Sequence, residues 1–291
     1  MMNLKQTLQT GIPGWNGRLL AHMMAWYGEG NPVKVHRVSR YQSNDPAVVA
    51  AQLDTMRDCG IEGVIVTWQG PTVNPFLHDA TIKIWEGCME RQMLFALLLD
   101  QWIAKGQPNP AQAVIAALQH IDTQRMLASP CYLPEQFILE FDLGASAGAN
   151  IGSVQAVIPS PLLSWHTGFS WPSIPADAHN PVDSLAALKA DNLKPTMRVP
   201  AVNVMFNDGG QAMPVGTTAI SFRGIRNYAQ SVWGGFPTRV IDHQAGNWFF
   251  DQLAVTPATA PYIAIATWND HDEGTGIEHI AAVLSGKRIG K

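Results

Sequence analysis

The sequence predicts an α/β fold, a single (β/α)8 barrel of the TIM-barrel type, over residues 1–291. Apolar runs that resemble strands alternate with helical patterns about eight times, as such a barrel requires. The runs are apolar throughout, which is typical of strands buried on both faces of a parallel sheet. Polar and aromatic residues follow these runs, at the edge where parallel barrels carry their functional sites.

The first half of the chain shows the alternation most regularly. Residues 19–25 form the first apolar run and predict a strand. Asp45 and Pro46 begin a helix over 46–58, because Pro is favoured in the first turn, and Gly60 ends it. The pattern then continues with strands over 62–68, 93–99, 137–141 and 153–158 and with helices over 78–91 and 110–120.

The second half completes the series with less regular spacing. Its predicted strands cover 199–206, 238–242 and the run that begins at Tyr262, and its predicted helices cover 181–191, 222–233, 247–255 and 277–284. A doubly wound sheet is the alternative fold, but no Gly-rich phosphate-binding fingerprint follows the first strand. Neither a linker nor a low-complexity segment interrupts the chain, so we expect one domain.

The composition excludes several classes of partner. The 291 residues carry 19 basic and 23 acidic side chains, a net charge of −4, and the basic residues do not cluster. Nucleic acid is therefore not expected as a partner. No segment approaches the ~20 apolar residues of a membrane span, and no apolar run of signal-peptide length lies near the N-terminus. The oligomeric state does not follow from the sequence.

Cofactor and metal chemistry have little support in the sequence. The three cysteines have spacings that match no metal motif, so we expect buried free thiols. HExxH and HxH patterns are absent, as is the GxSxG motif of a serine nucleophile. We therefore expect neither a metal nor a cofactor.

The segment after the last predicted strand carries the strongest functional signal. The apolar run over 262–266 is followed by aromatic, amide, imidazole and carboxylate side chains. Asp270 and Glu273 are three residues apart, so a helical turn would direct both carboxyls to one side. Two carboxyls beside one bond are the catalytic groups of glycoside hydrolysis. The alternative, which spacing alone leaves open, is that both carboxyls cap the helix that begins near Gly274.

The other strand ends supply candidate ligand-binding residues. His22 lies inside the first strand, where a hydrogen-bonded core residue and a substrate contact are equally plausible. Aromatic rings suit a sugar ligand because sugars present CH faces that pack on them. The candidate substrate-binding residues are His22, Trp26, Tyr27, Trp68, Asp100, His166, Asn207, Asp208, His243, Trp268, Asn269 and His271.

Three blocks resemble known glycosidases. Residues 268–278, Trp-Asn-Asp-His-Asp-Glu-Gly-Thr-Gly-Ile-Glu, are similar to the Trp-Asn-Glu-Trp-x-Glu-Gly-Thr-x-Ile-Glu signature of glycoside hydrolase family 99. Residues 21–28 resemble that family's first-strand block, and residues 41–46 with 60–71 resemble the block that leads into its second strand. Trp-Asn-Asp followed by Glu also resembles family 71, the α-1,3-glucanases.

The resemblance implies a (β/α)8 barrel that cleaves α-linked glycans, with endo-α-mannosidase as the best-known activity. Glu273 matches the second motif glutamate, the general acid/base, and Asp270 stands where family 99 has its first glutamate. In family 99 that first carboxylate helps the sugar 2-hydroxyl attack the anomeric carbon, whereas in family 71 the pair serves an inverting displacement. The stereochemistry is therefore open.

Three hypotheses follow for the function. The first is a glycoside hydrolase that uses Asp270 and Glu273 on an oligo- or polysaccharide. The second is a degenerate barrel that binds glycans without cleaving them, for which the Asp in place of Glu is the main support. The third, a lyase or aldolase, lacks a candidate Lys at a strand end.

Overall fold

The computed structural model describes a defined part of the chain. The described residues are 3–31, 41–141, 143–144, 147–158, 162–164, 189–190, 201–202, 206–207, 240–241, 247–270 and 277. The chain divides into two compact units. The first unit comprises Met1–Met23, Thr55–Glu62 and His166–Lys291, and the second comprises Met24–Asp54 and Gly63–Trp165. The single-domain assignment stays a prediction.

Helices and parallel strands alternate along the described chain, so the predicted α/β class is confirmed. The helices are α1 Leu4–Gly11, α2 Pro46–Asp58, α3 Gly70–Val73, α4 Pro75–Arg91, α5 Pro110–Leu118, α6 Ile121–Leu127, α7 Ile151–Val157 and α8 Asn247–Ala254. The strands are β1 Arg18–Met23, β2 Gly63–Trp68, β3 Leu94–Asp100, β4 Ile138–Phe141, β5 Leu162–Ser164, β6 Ala201–Val202, β7 Phe206–Asn207, β8 Val240–Ile241 and β9 Tyr262–Ala266.

The second unit contains a parallel sheet in which β2 pairs with β3, β3 with β4 and β4 with β5. All of β2 is buried, as its unbroken apolar sequence predicts. Gly63 begins this strand beside Leu94, and a Cβ at Gly63 would lie 2.5 Å from the Leu94 Cβ. The close approach of the two backbones at this point therefore requires glycine.

The first unit contains a second set of parallel pairs. Strand β9 is buried throughout and pairs with β1 on one side and with β6 on the other. His22 of β1 lies in register with Ala266 of β9. Strands β7 and β8 form a short antiparallel pair, which the prediction of parallel strands did not include.

One predicted strand is wrong. Residues 153–158 were expected to be extended, but they belong largely to helix α7. The Asn150 side chain caps this helix by accepting a hydrogen bond from the Ser153 N–H at 3.0 Å. The next strand of the sheet after β4 is instead β5. Its apolar run of three residues is too short to show a period.

The cysteine prediction is confirmed, because Cys59, Cys88 and Cys131 are buried free thiols. Burial raises the pKa of the Cys88 and Cys131 thiols, so both stay protonated and unreactive. Among the described residues, no helix is both long enough and apolar enough to cross a bilayer.

Candidate active site

The C-terminal ends of β2 and β3 bring two of the predicted site residues to neighbouring strands. Trp68 ends β2 and Asp100 ends β3, and Trp68 lies in register with Leu99. Their proximity follows from parallel pairing, which places the carboxyl ends of adjacent strands at one edge. Trp68 and Asp100 therefore lie at one edge of the sheet in the second unit, at the strand ends where the sequence predicted them.

A chain of buried amide side chains leads to the Asp100 carboxylate. Asn31 donates to the Trp26 carbonyl, and Asn74 Nδ2 donates to Asn31 Oδ1 at 3.4 Å. Asn74 Nδ2 also donates to Gln69 Oε1 at 3.2 Å, and Gln69 Nε2 donates to Asp100 Oδ2 at 2.9 Å. Each amide is thus held in one orientation by a partner that fixes its oxygen or its nitrogen.

Donors from two described residues, Gln69 and Trp102, help to orient Asp100. In addition to the Gln69 bond, its Oδ1 accepts a hydrogen bond from the Trp102 backbone N–H at 3.3 Å. The residue keeps 9% of its surface exposed. Asp100 can therefore act as a fixed acceptor for a ligand hydroxyl.

The side-chain amides of this hydrogen-bonded series were not among the residues predicted from the sequence. Gln69 directly follows β2, and its position at a strand end was the available signal. Asn74 precedes Pro75 and caps α4 by accepting a hydrogen bond from the Leu77 N–H at 3.1 Å. This helix cap was predictable from the Asn-Pro pair. The hydrogen bonds from Asn74 Nδ2 to Gln69 and Asn31 were not, because they depend on tertiary contacts. Asn31 gives no comparable signal in the sequence.

Trp68 is fully buried and held by a histidine. Its indole N–H donates to His78 Nδ1 at 3.2 Å. Because an indole can only donate, the neutral His78 carries its proton on Nε2, which faces Asp122 Oδ2 at 3.6 Å. Burial lowers the pKa of His78, although Asp122 acts in the opposite direction. His78 thus connects the end of β2 to the first turn of α6 as a neutral ring.

Among the described residues, His78 also belongs to a group that could hold a metal. The group consists of His78, His120 and Asp122, and it offers three ligand atoms that lie within 4.8 Å of one another. A metal on His78 Nε2 would require the ring proton on Nδ1, where Trp68 already donates. The hydrogen bond therefore opposes ligation, and we assign the cluster to packing between α4 and α6.

Trp26 and Tyr27 follow the end of β1 and belong to the second unit. The Tyr27 N–H donates to Ser43 Oγ at 3.1 Å. The Tyr27 ring meets Tyr41 edge-on with centroids 5.8 Å apart. Trp26 and Tyr27 are almost fully buried, with 6% and 2% of their surfaces exposed.

The acidic motif follows β9 and is joined to β1 within the first unit. The Trp268 N–H donates to the His22 carbonyl at 2.7 Å, and the Ile277 N–H donates to the Trp268 carbonyl at 2.8 Å. The structure thus brings together two predicted site residues, His22 and Trp268. The Trp268 indole N–H is buried and has no hydrogen-bond partner among the described residues.

Asn269 and Asp270 are also enclosed. Asp270 exposes none of its surface, and its backbone N–H donates to Thr267 Oγ1 at 2.8 Å. An enclosed carboxylate interacts strongly with a bound charge because water does not screen it. This burial differs from the open cleft that was expected around a strand-end carboxylate.

Several predicted site residues lie outside the described part of the chain. These are His166, Asp208, His243, His271 and the second motif carboxylate, Glu273. Asn207 lies in β7, and its side chain is also outside the described part. The roles of these residues and the pairing of Asp270 with Glu273 stay predictions.

His22 should make the protein sensitive to acid. Its burial lowers the pKa to about 3, so the folded chain binds fewer protons than the unfolded chain between that pH and 6.5. The free energy of unfolding should therefore fall by up to about 1.4 kcal/mol for each pH unit between pH 6.5 and the folded-state pKa of about 3. Urea unfolding at pH 7.5 and pH 5 should show a smaller difference for His22→Leu than for wild type.

The control for this experiment is Leu20→Val in the same strand. Leu20 is fully buried and does not titrate, so this variant should lose about the same stability at both pH values. An equal pH dependence in wild type and His22→Leu would contradict the assignment of the acid sensitivity to His22.

Comparisons with known proteins identify the fold. No protein-family model and no curated protein matches the sequence. Two structures of a family 99 endo-α-mannosidase from Bacteroides thetaiotaomicron, one in complex with bis-tris-propane, resemble this chain with TM-scores of 0.56 and 0.54 at 13% identity. The likeness covers 91% of this chain and 88% and 87% of the mannosidase chains.

A third structure, a glycoside hydrolase-like protein, has a TM-score of 0.56 at 8% identity. Its likeness covers 91% of this chain and 87% of its own. Identities this low establish the fold alone. The chain therefore has the fold of the family 99 endo-α-mannosidases, and the resemblance inferred from its motifs is confirmed at that level.

Proposed function

We propose that this protein is a glycoside hydrolase that cleaves α-linked glycans, an α-mannoside or an α-glucan, on a (β/α)8 barrel. The observation that carries the proposal is the position of the Trp268–Asp270 segment, directly after β9 and bonded to β1. The likeness to family 99 structures supports glycosidase activity at the level of the fold. The motif supplies the carboxylates that such an activity needs.

The proposed mechanism assigns one task to each carboxyl. Glu273 donates its proton to the glycosidic oxygen as the bond to the anomeric carbon breaks. Asp270 accepts a proton either from a water or from the sugar 2-hydroxyl. The oxygen that loses this proton forms the new bond to the anomeric carbon. The water route inverts the anomeric configuration. The 2-hydroxyl route first joins the 2-oxygen to the anomeric carbon in a small ring. Water then opens this ring, so the route retains the configuration.

The proposed subsites combine aromatic and polar groups at strand ends. Asp100 supplies a fixed acceptor, since Gln69 and the Trp102 N–H hold its carboxylate. The Trp268 indole N–H, which has no partner in the described part of the chain, can donate to a sugar oxygen. The remaining proposed contacts are His22, Trp26, Tyr27, Trp68, His166, Asn207, Asp208, His243, Asn269 and His271.

The proposal is tested with a panel of α-mannan and α-glucan oligosaccharides. We expect wild type to release reducing ends from at least one member, with proton NMR giving the anomer of the first product. Binding to the same panel is measured by calorimetry. Binding without cleavage would support the degenerate, glycan-binding barrel instead. Neither cleavage nor binding across the panel would contradict both functions.

A further inference from the structure

Trp102 is an exposed aromatic residue next to a predicted site residue. It follows Asp100 by two positions, and 42% of its surface is accessible. Large aromatic side chains are usually highly buried, as Trp15, Trp26, Trp68, Trp85 and Trp268 are here. An exposed indole at the C-terminal end of a strand therefore has a position that packing does not explain.

The local structure holds Trp102 in this position. Residues Gln101–Ile103 form a single 3-10 turn directly after β3. Asp100 caps the turn by accepting the Trp102 N–H, and Ile103 anchors it in the core with 1% of its surface exposed. The backbone on both sides of Trp102 is thus fixed, so only its side-chain torsions need to be ordered when a ligand binds.

A lysine side chain lies over this ring. Lys105 Nζ lies 4.4 Å from the centroid of the Trp102 ring. The Asp100 carboxylate, which keeps 9% of its residue surface exposed, places a hydrogen-bond acceptor two residues before the ring.

We propose that Trp102 is the stacking surface of a glycan-binding subsite, in which Asp100 accepts a hydrogen bond from a sugar hydroxyl. Sugars suit this combination because their CH faces pack on an aromatic ring while their hydroxyls need acceptors. Gln69 is a positioning residue in this subsite, because its amide orients the Asp100 carboxylate. The choice of a glycan ligand rests on the proposed function, but the subsite requires only binding and not cleavage.

The test compares glycan binding by wild type, Trp102→Ala and Trp102→Tyr. Calorimetry with α-mannan and α-glucan oligosaccharides should show about tenfold weaker binding for Trp102→Ala, the loss that corresponds to about 1.4 kcal/mol. Trp102→Tyr keeps an aromatic face and should retain most of the affinity. Ile121→Ala is the matched control, since Ile121 is a more exposed apolar residue of the same unit, and it should bind like wild type.

Gln69→Leu tests the positioning role. This variant removes the donor to Asp100 at similar volume and should weaken binding, with KM raised and kcat little changed on any glycan that is cleaved. Circular dichroism with thermal unfolding confirms that each variant folds.

The outcomes separate this subsite from the proposed hydrolysis. If wild type binds glycans without cleaving them and Trp102→Ala loses that binding, the subsite stands and hydrolysis fails. If wild type cleaves a glycan and folded Trp102→Ala has the same affinity and KM, the subsite is overturned and hydrolysis stands. Failure of wild type to bind any member of the panel would overturn the subsite as well.

Discussion

Glu273→Gln is expected to lower kcat on the cleaved glycan by about 10²–10⁴, the usual contribution of general acid/base catalysis. The amide has nearly the same shape as the acid but cannot give a proton to the leaving oxygen. Substrate affinity, measured by calorimetry, should stay close to that of wild type. The kcat of the variant should fall less on a substrate whose leaving group needs no protonation, such as a dinitrophenyl glycoside.

Glu90→Gln is the matched control for this experiment. Glu90 lies on α4 with 74% of its side chain exposed and makes an ion pair with the neighbouring Arg91. Its substitution makes the same chemical change outside the proposed site and should leave kcat unchanged. Wild-type turnover by a folded Glu273→Gln protein would remove Glu273 from the mechanism.

Asp270→Asn is expected to reduce kcat by a similar factor, about 10²–10⁴, because the amide cannot accept a proton from water or from the 2-hydroxyl. Asp270 is fully buried, so its substitution also tests stability. Thermal unfolding must therefore accompany the kinetics. Turnover that survives in a folded Asp270→Asn protein would favour the alternative in which Asp270 has a structural role.

Asp270→Glu measures the effect of the shorter side chain. The family 99 motif has Glu at this position, one methylene longer than the Asp here. Retained activity in Asp270→Glu beside lost activity in Asp270→Asn would show that the position needs a carboxylate. Loss in both variants, with the fold intact, would show that the enclosed site accepts only the shorter side chain.

The parallel α/β architecture was predictable because buried strands leave an unambiguous pattern. Gly63–Trp68 and Leu94–Asp100 are continuous apolar runs bounded by helices, and the structure places both near their predicted bounds. Residues 153–158 show the limit of this reasoning. Their apolar content fits a strand or a short helix equally well, and the Asn150 cap decides for the helix.

Candidate site residues could be named from the sequence where a polar or aromatic residue lies at the end of a strand or directly after it. Asp100 and Trp268 were identified in this way, and both are fixed by hydrogen bonds at strand ends. The partners of these residues were not predictable, because Asn74 is brought to Gln69 by the fold of helices α3 and α4. The burial of Asp270 was missed for the same reason, since the cover over a strand end is a tertiary property.

The most direct test of the central claim is the kcat/KM of wild type, Glu273→Gln, Asp270→Asn and the double variant on one cleaved glycan. If the two carboxyls act on the same bond, the double variant should lose no more activity than the weaker of the two single variants. Losses that multiply, or wild-type kcat/KM in either folded single variant, would contradict the claim that Asp270 and Glu273 form one catalytic pair.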